Sequence, residues 1–252
     1  MTLNHQLIKE KKSKLNFPSD LFINGNYHKS FSEIFFDNIS PIDGKLINQI
    51  SFAQQADIDR AVSVARKVFE KGSWSNMPPG QRKKILLKFS QLIERDRLEL
   101  SLLDTIDMGK TINDTYNADL PTSIDNIEWY SEIIDKLFDD ISPSSKEYMG
   151  LITKEPIGVV AAIVPWNYPL WMAIWKIAPA LITGNSVILK PAEQSPMSAI
   201  KIGALLAEAG LPDGVFSVLP GDGPITGQQL CLHNDIDCVA FTSSGGVGKL
   251  VL

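Results

Sequence analysis

The chain has 252 residues, 44% apolar and 21% charged, with a net charge of −5. These values suit a soluble protein of one large domain or two small ones, and they exclude the basic footprint of a nucleic-acid or anionic-membrane binder. Two cysteines and three scattered histidines give neither a disulfide framework nor metal-ligand spacing, so Cys231 and Cys238 read as reduced thiols of a cytoplasmic protein.

Residues 1–20 carry Lys9, Lys11, Lys12 and Lys14 with no apolar run behind them, which reads as a flexible terminus rather than a targeting segment. Strands and turns follow. "LFINGNYHKSF" sets Asn24-Gly25 between extended runs, a hairpin signal, and Asp43-Gly44 in "ISPIDGKLINQISFA" repeats it. Residues 55–138 are predicted to be mainly amphipathic helix. Ile58, Ala61, Val62, Ala65, Val68 and Phe69 share one face, with Asp57 and Asp59 at the start and Gly72 at the end. Ile85, Leu86, Phe89, Leu92 and Ile93 form a second stripe, "RLELSLLDTIDMGK" ends a third helix at Gly109, and Ile127, Tyr130, Ile133, Ile134 and Leu137 mark a fourth. "SPSSKEYMGLITKEP" reads as a polar loop and an exposed extended segment.

From residue 157 the pattern changes. "IGVVAAIVPWNYPLWMAIW" holds no charge and is long enough to cross a bilayer, but Pro165, Asn167 and Pro169 interrupt it. A buried strand, a turn and a buried helix explain it better. "GVVAAIVP", "NSVILKP", "GVFSVLPG" and "DCVAFTSS" are predicted strands, with helices between them over "PLWMAIWKIAPALITG", "SPMSAIKIGALLAEAG" and "GPITGQQLCLHN". Such alternation implies an α/β fold with a parallel, Rossmann-like sheet, whose ligands bind beyond the carboxyl ends of the strands. Those ends are "PWN", "KPAE", "PGDG" and "TSSGG".

Each end offers chemistry. The last resembles a glycine-rich phosphate loop before a helix. It lacks the first glycine of a P-loop, where Ser243 stands, and the hydroxyl that meets magnesium, where Leu250 stands. "GDGPITG" is one residue too long for the dinucleotide fingerprint and follows the third strand. Glu193, at the end of the second strand, is placed to accept the adenosine ribose hydroxyls, and Lys190 to bond the same ribose; both are equally readable as solvated strand-end charges. A carboxylate there repels a 2′-phosphate, which favours NAD over NADP. Asn167 is either a donor to a developing oxyanion or a turn residue bonding its own backbone.

The strings "VPWNYPLWMAIWKIAPALITGNSVILKPAEQSP" and "EAGLPDGVFSVLPGDGPITG", the "FTSS" strand end, "LFINGNY", "GSWSNMPPGQRKKILLKFSQLIE" and "LLDTIDMGK" together resemble the NAD(P)-dependent aldehyde dehydrogenase superfamily. Within it the chain looks most like dehydrogenases of amino-aldehydes such as gamma-glutamyl-gamma-aminobutyraldehyde. The resemblance covers nearly everything after residue 20. It implies the N-terminal part of that fold: strands and helices over 21–139, an extended bridging and oligomerisation segment over 140–157, and the cofactor sheet over 158–252. It also implies oxidation of an aldehyde to an acid by a cysteine thiolate, through a thiohemiacetal and a thioester, with hydride passing to NAD and a glutamate activating water. By the same resemblance Asn167 holds the oxyanion, while Val164, Pro165 and Trp166 line the cofactor. Lys190 and Glu193 take the ribose, Gly223 and Gly227 let the backbone approach the adenine side, and Phe241, Ser244 and Val247 lie along the last loop. Ser243 replaces the usual glycine of "FTGS", and Gly245 and Gly246 replace larger residues, so that loop is expected to be more mobile. The family's nucleophilic cysteine, its general-base glutamate and its catalytic domain are expected beyond Leu252; Cys231 and Cys238 match neither motif. The family's members are homo-oligomers. The alternatives are a non-catalytic dinucleotide-binding module and an unstable remnant.

Overall fold

A computed structural model describes residues 4–251; residues 1–3 and 252, at the ends of the segments drawn above, lie outside the described residues. Within the segment read as a flexible terminus, His5–Ser13 form helix α1. Asn4 caps it by accepting the Leu7 N–H at 2.8 Å, and Lys11 reaches Glu99 at 2.8 Å. None of its residues is buried, so a cap and an ion pair replace the apolar stripe that would have signalled it.

The Asn24-Gly25 signal yields a hairpin of β1, Leu21–Ile23, and β2, Asn26–His28. Both turn residues take positive φ, 52° and 77°, as a tight hairpin turn requires. β3, Phe35–Ile39, and β4, Leu46–Ser51, form a separate antiparallel pair with an irregularity at Asn38/Ile39. Three helices follow, α2 (Gln55–Lys71), α3 (Pro79–Arg95) and α4 (Arg97–Met108). Asp57 closes a capping box on α2 by accepting the Gln54 N–H at 3.1 Å. Gly72 and Gly109 end α2 and α4 in the left-handed conformation. α5, Ile112–Asp114, runs through a π-helical turn, Thr115–Asp119, into α6, Leu120–Ile133. The predicted stripe on α6 stops early: a 3-10 turn, Ile134–Lys136, closes it and Leu137 is exposed. β5 (Asp140–Ile141) and β6 (Leu151–Ile152) then pair antiparallel on the surface.

The strand–helix alternation is present as read: β7 (Val159–Ile163), α7 (Pro169–Ile182), β8 (Ser186–Lys190), α8 (Met197–Ala209) and β9 (Phe216–Val218). The predicted helix after β9 is a π-helical turn, Gly223–Gly227, continuing as α9, Gln228–Leu232. β10 (Cys238–Phe241) and α10 (Gly245–Val251) complete the described chain. The strand order is β10-β7-β8-β9-β1-β2. The first four strands are parallel. β1 joins β9 antiparallel through Phe22 and Val218, and β2 joins β1. The sheet is therefore mixed rather than purely parallel, because the N-terminal hairpin extends its edge.

Alternation along the strands supplies two cores. Val160, Ala162, Val187 and Leu189 share a core with α7 and α8, over which α3 and α6 pack, while Val159, Ala161 and Ile188 share the other with α2. The predicted membrane-length run is β7, a turn and α7; among the described residues no helix is long and apolar enough to cross a membrane.

Candidate functional site

β7 has β8 on one side and β10 on the other. The chain runs from β7 to β8 and β9 on one side and returns to β10 on the other, so the strand order reverses at β7, the arrangement that opens a crevice beyond the carboxyl ends of β7 and β10. All four predicted strand ends lie at this end of the sheet.

The loop after β7 begins with buried Val164, whose N–H continues the ladder to the Lys190 carbonyl at 3.2 Å. Pro165 is half-buried and Trp166 is exposed. Ser195 donates its hydroxyl to the Trp166 carbonyl at 3.1 Å, tying this loop to the next. Asn167 is exposed, and among the described residues nothing hydrogen-bonds its amide. It is not spent on its own turn.

After β8, the Lys190 ammonium lies 3.3 Å from Glu193, with side-chain exposures of 4% and 39%. Burial pulls the Lys190 pKa below its usual value, and the charges of Glu193 and Asp222 pull it back up. Gln194 donates to the other Glu193 oxygen at 3.0 Å. The loop after β9 is capped by Asp222, which accepts the Ile225 N–H at 2.7 Å. A Cβ at Gly223 would meet nothing within 4 Å, so the protein's own packing leaves that face open. Gly221, which the sequence reading passed over, is the constrained glycine here: a Cβ would strike the Thr226 hydroxyl that bonds the Ala53 carbonyl.

After β10, half-buried Phe241 leads to the Thr242 N–H, which donates to the Ile163 carbonyl at 3.1 Å. Ser244 is exposed and caps α10, its hydroxyl accepting the Val247 N–H at 3.4 Å. Gly245, Gly246 and Gly248 belong to the helix itself. The glycine-rich loop expected here is thus only Thr242–Ser244, since hydroxyl capping lets the helix begin at once. Val247 is exposed on its first turns.

Trp166, Glu193, Gln194 and Asp222 border a cavity of about 620 Å³ whose far wall is Phe36–Ile39, Pro41, Phe52, Asp107 and Met108. The sequence reading missed that wall. Its one local signal was an acid on a core-facing helix. Asp107 is buried, accepts the Asn38 amide at 2.7 Å and the Met197 N–H of α8 at 2.8 Å, and is pushed up to about 8 by burial. One turn earlier Asp104 is fully buried and pushed up to about 7, also by burial. It lies against Ser198 and the Leu170 backbone, yet neither carboxyl oxygen completes a hydrogen bond.

Neither cysteine joins the group. Cys238 pairs with Val160 at the start of the strands, the end away from Asn167. Cys231 is on α9, and burial raises its thiol pKa, which disfavours a thiolate. Among the described residues no group of three or more His, Cys, Asp or Glu side chains could hold a metal ion. A dinucleotide fits what is present: an open cavity, a Lys–Glu pair at its rim, a glycine with free space, and a capped helix start.

Comparison with known proteins agrees. Residues 27–252 match the model of the aldehyde dehydrogenase family. The chain is 46% identical over 243 residues to the NADP/NAD-dependent aldehyde dehydrogenase PuuC of Escherichia coli K12, covering 96% of this chain and 49% of that protein. The crystal structure of an indole-3-acetaldehyde dehydrogenase with NAD+ superposes with a TM-score of 0.97 at 46% identity, covering 99% of this chain and 50% of that one. Gamma-glutamyl-gamma-aminobutyraldehyde dehydrogenase of Burkholderia cenocepacia gives 0.96 at 44%, with 99% and 50% covered. The chain thus spans about half the length of the curated relatives it matches. By sequence over nearly its whole length, and by a fold that matches the N-terminal part of these enzymes, the chain belongs to the aldehyde dehydrogenase family.

Proposed function

We propose that this chain is the cofactor-binding part of an NAD-dependent enzyme that oxidises an aldehyde to a carboxylic acid. The carrying observation is the buried Lys190 ammonium, 3.3 Å from Glu193 at the rim of the strand-end cavity. When bound, the dinucleotide supplies the hydride acceptor. Lys190 and Glu193 bond the adenosine ribose hydroxyls, and the Glu193 carboxylate repels a 2′-phosphate, so NAD is preferred to NADP. Gly223 and Gly227 let the third loop approach the adenine side. Phe241, Ser244 and Val247 flank the pyrophosphate, and Val164, Pro165 and Trp166 line the remaining length.

Asn167 is the one residue assigned to the chemistry. Its free side-chain N–H donates to the oxygen that gains charge when a nucleophile adds to the aldehyde carbon, a contribution of about 3 kcal/mol for one such donor. The nucleophile and general base are not assigned to Cys231, Cys238 or any other described residue. The chain alone is proposed to bind cofactor without oxidising aldehydes. Residues 21–139 and 158–252 form the cofactor-binding part, and 140–157 bridge between subunits of a homo-oligomer. The exposed Ile141, Leu151 and Ile152 support that bridging role. A cytoplasmic location follows from the reduced-thiol reading. Relatives of similar identity are named for different aldehydes, so the proposed substrate class is aldehydes in general.

Calorimetric titration with NAD and NADP tests this. Wild-type chain should bind NAD more tightly, and Glu193→Gln should narrow the difference by weakening NAD and relieving the repulsion of NADP. Equal binding of both cofactors, unchanged by the substitution, would contradict the assignment.

A further inference from the structure

We propose that Lys110 is a positioning residue that sets the direction of the Asn167 amide through the ring of Tyr168; this rests on Asn167 being the oxyanion donor. Among the described residues nothing hydrogen-bonds the Asn167 amide, so its direction rests on the backbone and side chains that flank it. On one side the Trp166 carbonyl is tied by Ser195. On the other, Tyr168 occupies the cap of α7 with φ −141° and ψ 71°, and no side-chain bond completes that cap. The ring does the holding instead. The Lys110 ammonium stands 3.5 Å from its centroid, and Trp171 meets it edge-on at 5.0 Å and 88°. A cation over an aromatic face is attracted by the ring quadrupole, more strongly as water is excluded.

Lys110 is itself aimed. Asp119 holds its ammonium at 2.6 Å, with side-chain exposures of 17% and 5%. Asp119 ends the π-helical turn Thr115–Asp119, a local widening of the helix that recurs at functional positions. Lys110 follows Gly109, whose φ of 76° turns the chain out of α4. Two irregularities in the backbone therefore bring one ion pair under one ring, and that ring is attached to the residue after Asn167.

The test is a 15N-labelled chain in which the Asn167 side-chain amide pair is identified by its loss in Asn167→Asp. Lys110→Met keeps length and removes charge; the Asn167 pair should shift and broaden. Lys110→Arg keeps a cation over the ring and should restore the wild-type signal. Tyr168→Leu should reproduce the methionine variant, and carries the same test if that variant does not fold. The buried Trp74 indole, which donates to the Leu181 carbonyl, should stay unmoved as the control for an intact fold. Asn167 signals that overlay wild type in both Lys110→Met and Tyr168→Leu, with Trp74 unmoved, would overturn the proposal. NAD calorimetry runs beside it: a wild-type chain that binds no NAD removes the cofactor reading, while the Asn167 signal alone decides the role of Lys110.

Discussion

Asp104 is costly where it stands: fully buried, with both carboxyl oxygens lacking a completed hydrogen bond. Its pKa of about 7, and that of about 8 for Asp107, lie above the ordinary 3.8. The folded state therefore binds more protons than the unfolded one between those values. The associated stability is full below the ordinary carboxyl range and is lost as pH rises through 7 and 8. Urea unfolding should show stability falling between about pH 5 and pH 8. Asp104→Asn should flatten part of that fall and exceed wild type at the alkaline end by on the order of 1–3 kcal/mol; parallel curves would count against it. At this scale the sequence is readable where position carries the meaning. Lys190 and Glu193 could be placed at the end of β8, where the structure has them, because the strand that carries them is a plain apolar run. Asp104 was not, because an acid on a helix reads as solvated until α7 and α8 are packed over it.

At the scale of elements, α7 shows what local pattern conveys. Pro169 and Gly184 bracket it in the sequence, and it runs Pro169–Ile182. Its far end is closed locally by the Gly184 N–H, which donates to the Leu181 carbonyl at 2.9 Å, and is anchored from afar as well. Arg82, some hundred residues earlier on α3, donates to the Ile182 carbonyl at 2.8 Å and also to the Ser75 and Met77 carbonyls, and the Trp74 indole reaches Leu181 at 2.9 Å. These satisfy the carbonyls that a helix end leaves bare. Arg82→Met, which keeps the stem and removes the fork, should lower unfolding free energy by about 2–4 kcal/mol. Trp74→Phe should cost about 1 kcal/mol. Denaturant melts of the two variants rank them, and an Arg82 variant no weaker than the Trp74 variant would contradict the anchoring account. The π-helical turns at Thr115–Asp119 and Gly223–Gly227 were illegible for a related reason. A single wide turn shifts the apolar period by one residue and leaves no composition mark.

For the whole molecule, the strand–helix alternation after residue 157 was enough to infer the four parallel strands and the end of the sheet at which their following loops gather. The docking of β1 beside β9 was not inferable, because its one register pair joins Phe22 to Val218 and nothing near either residue announces the other. The surface hairpin of β5 and β6 exposes Ile141, Leu151 and Ile152 side by side, the kind of apolar surface that a partner covers. Replacing Ile141 and Leu151 together with threonine should shift light-scattering mass toward the monomer; an unchanged mass would remove the bridging role of residues 140–157.

The central claim is that four strand ends, distant in sequence, make one dinucleotide site. Hydrogen–deuterium exchange with and without NAD reads this directly. The account predicts NAD-dependent protection over residues 164–167, 190–194, 221–227 and 242–247 together, with the β5–β6 hairpin unchanged. Protection absent from these loops, or confined to one of them, would contradict it.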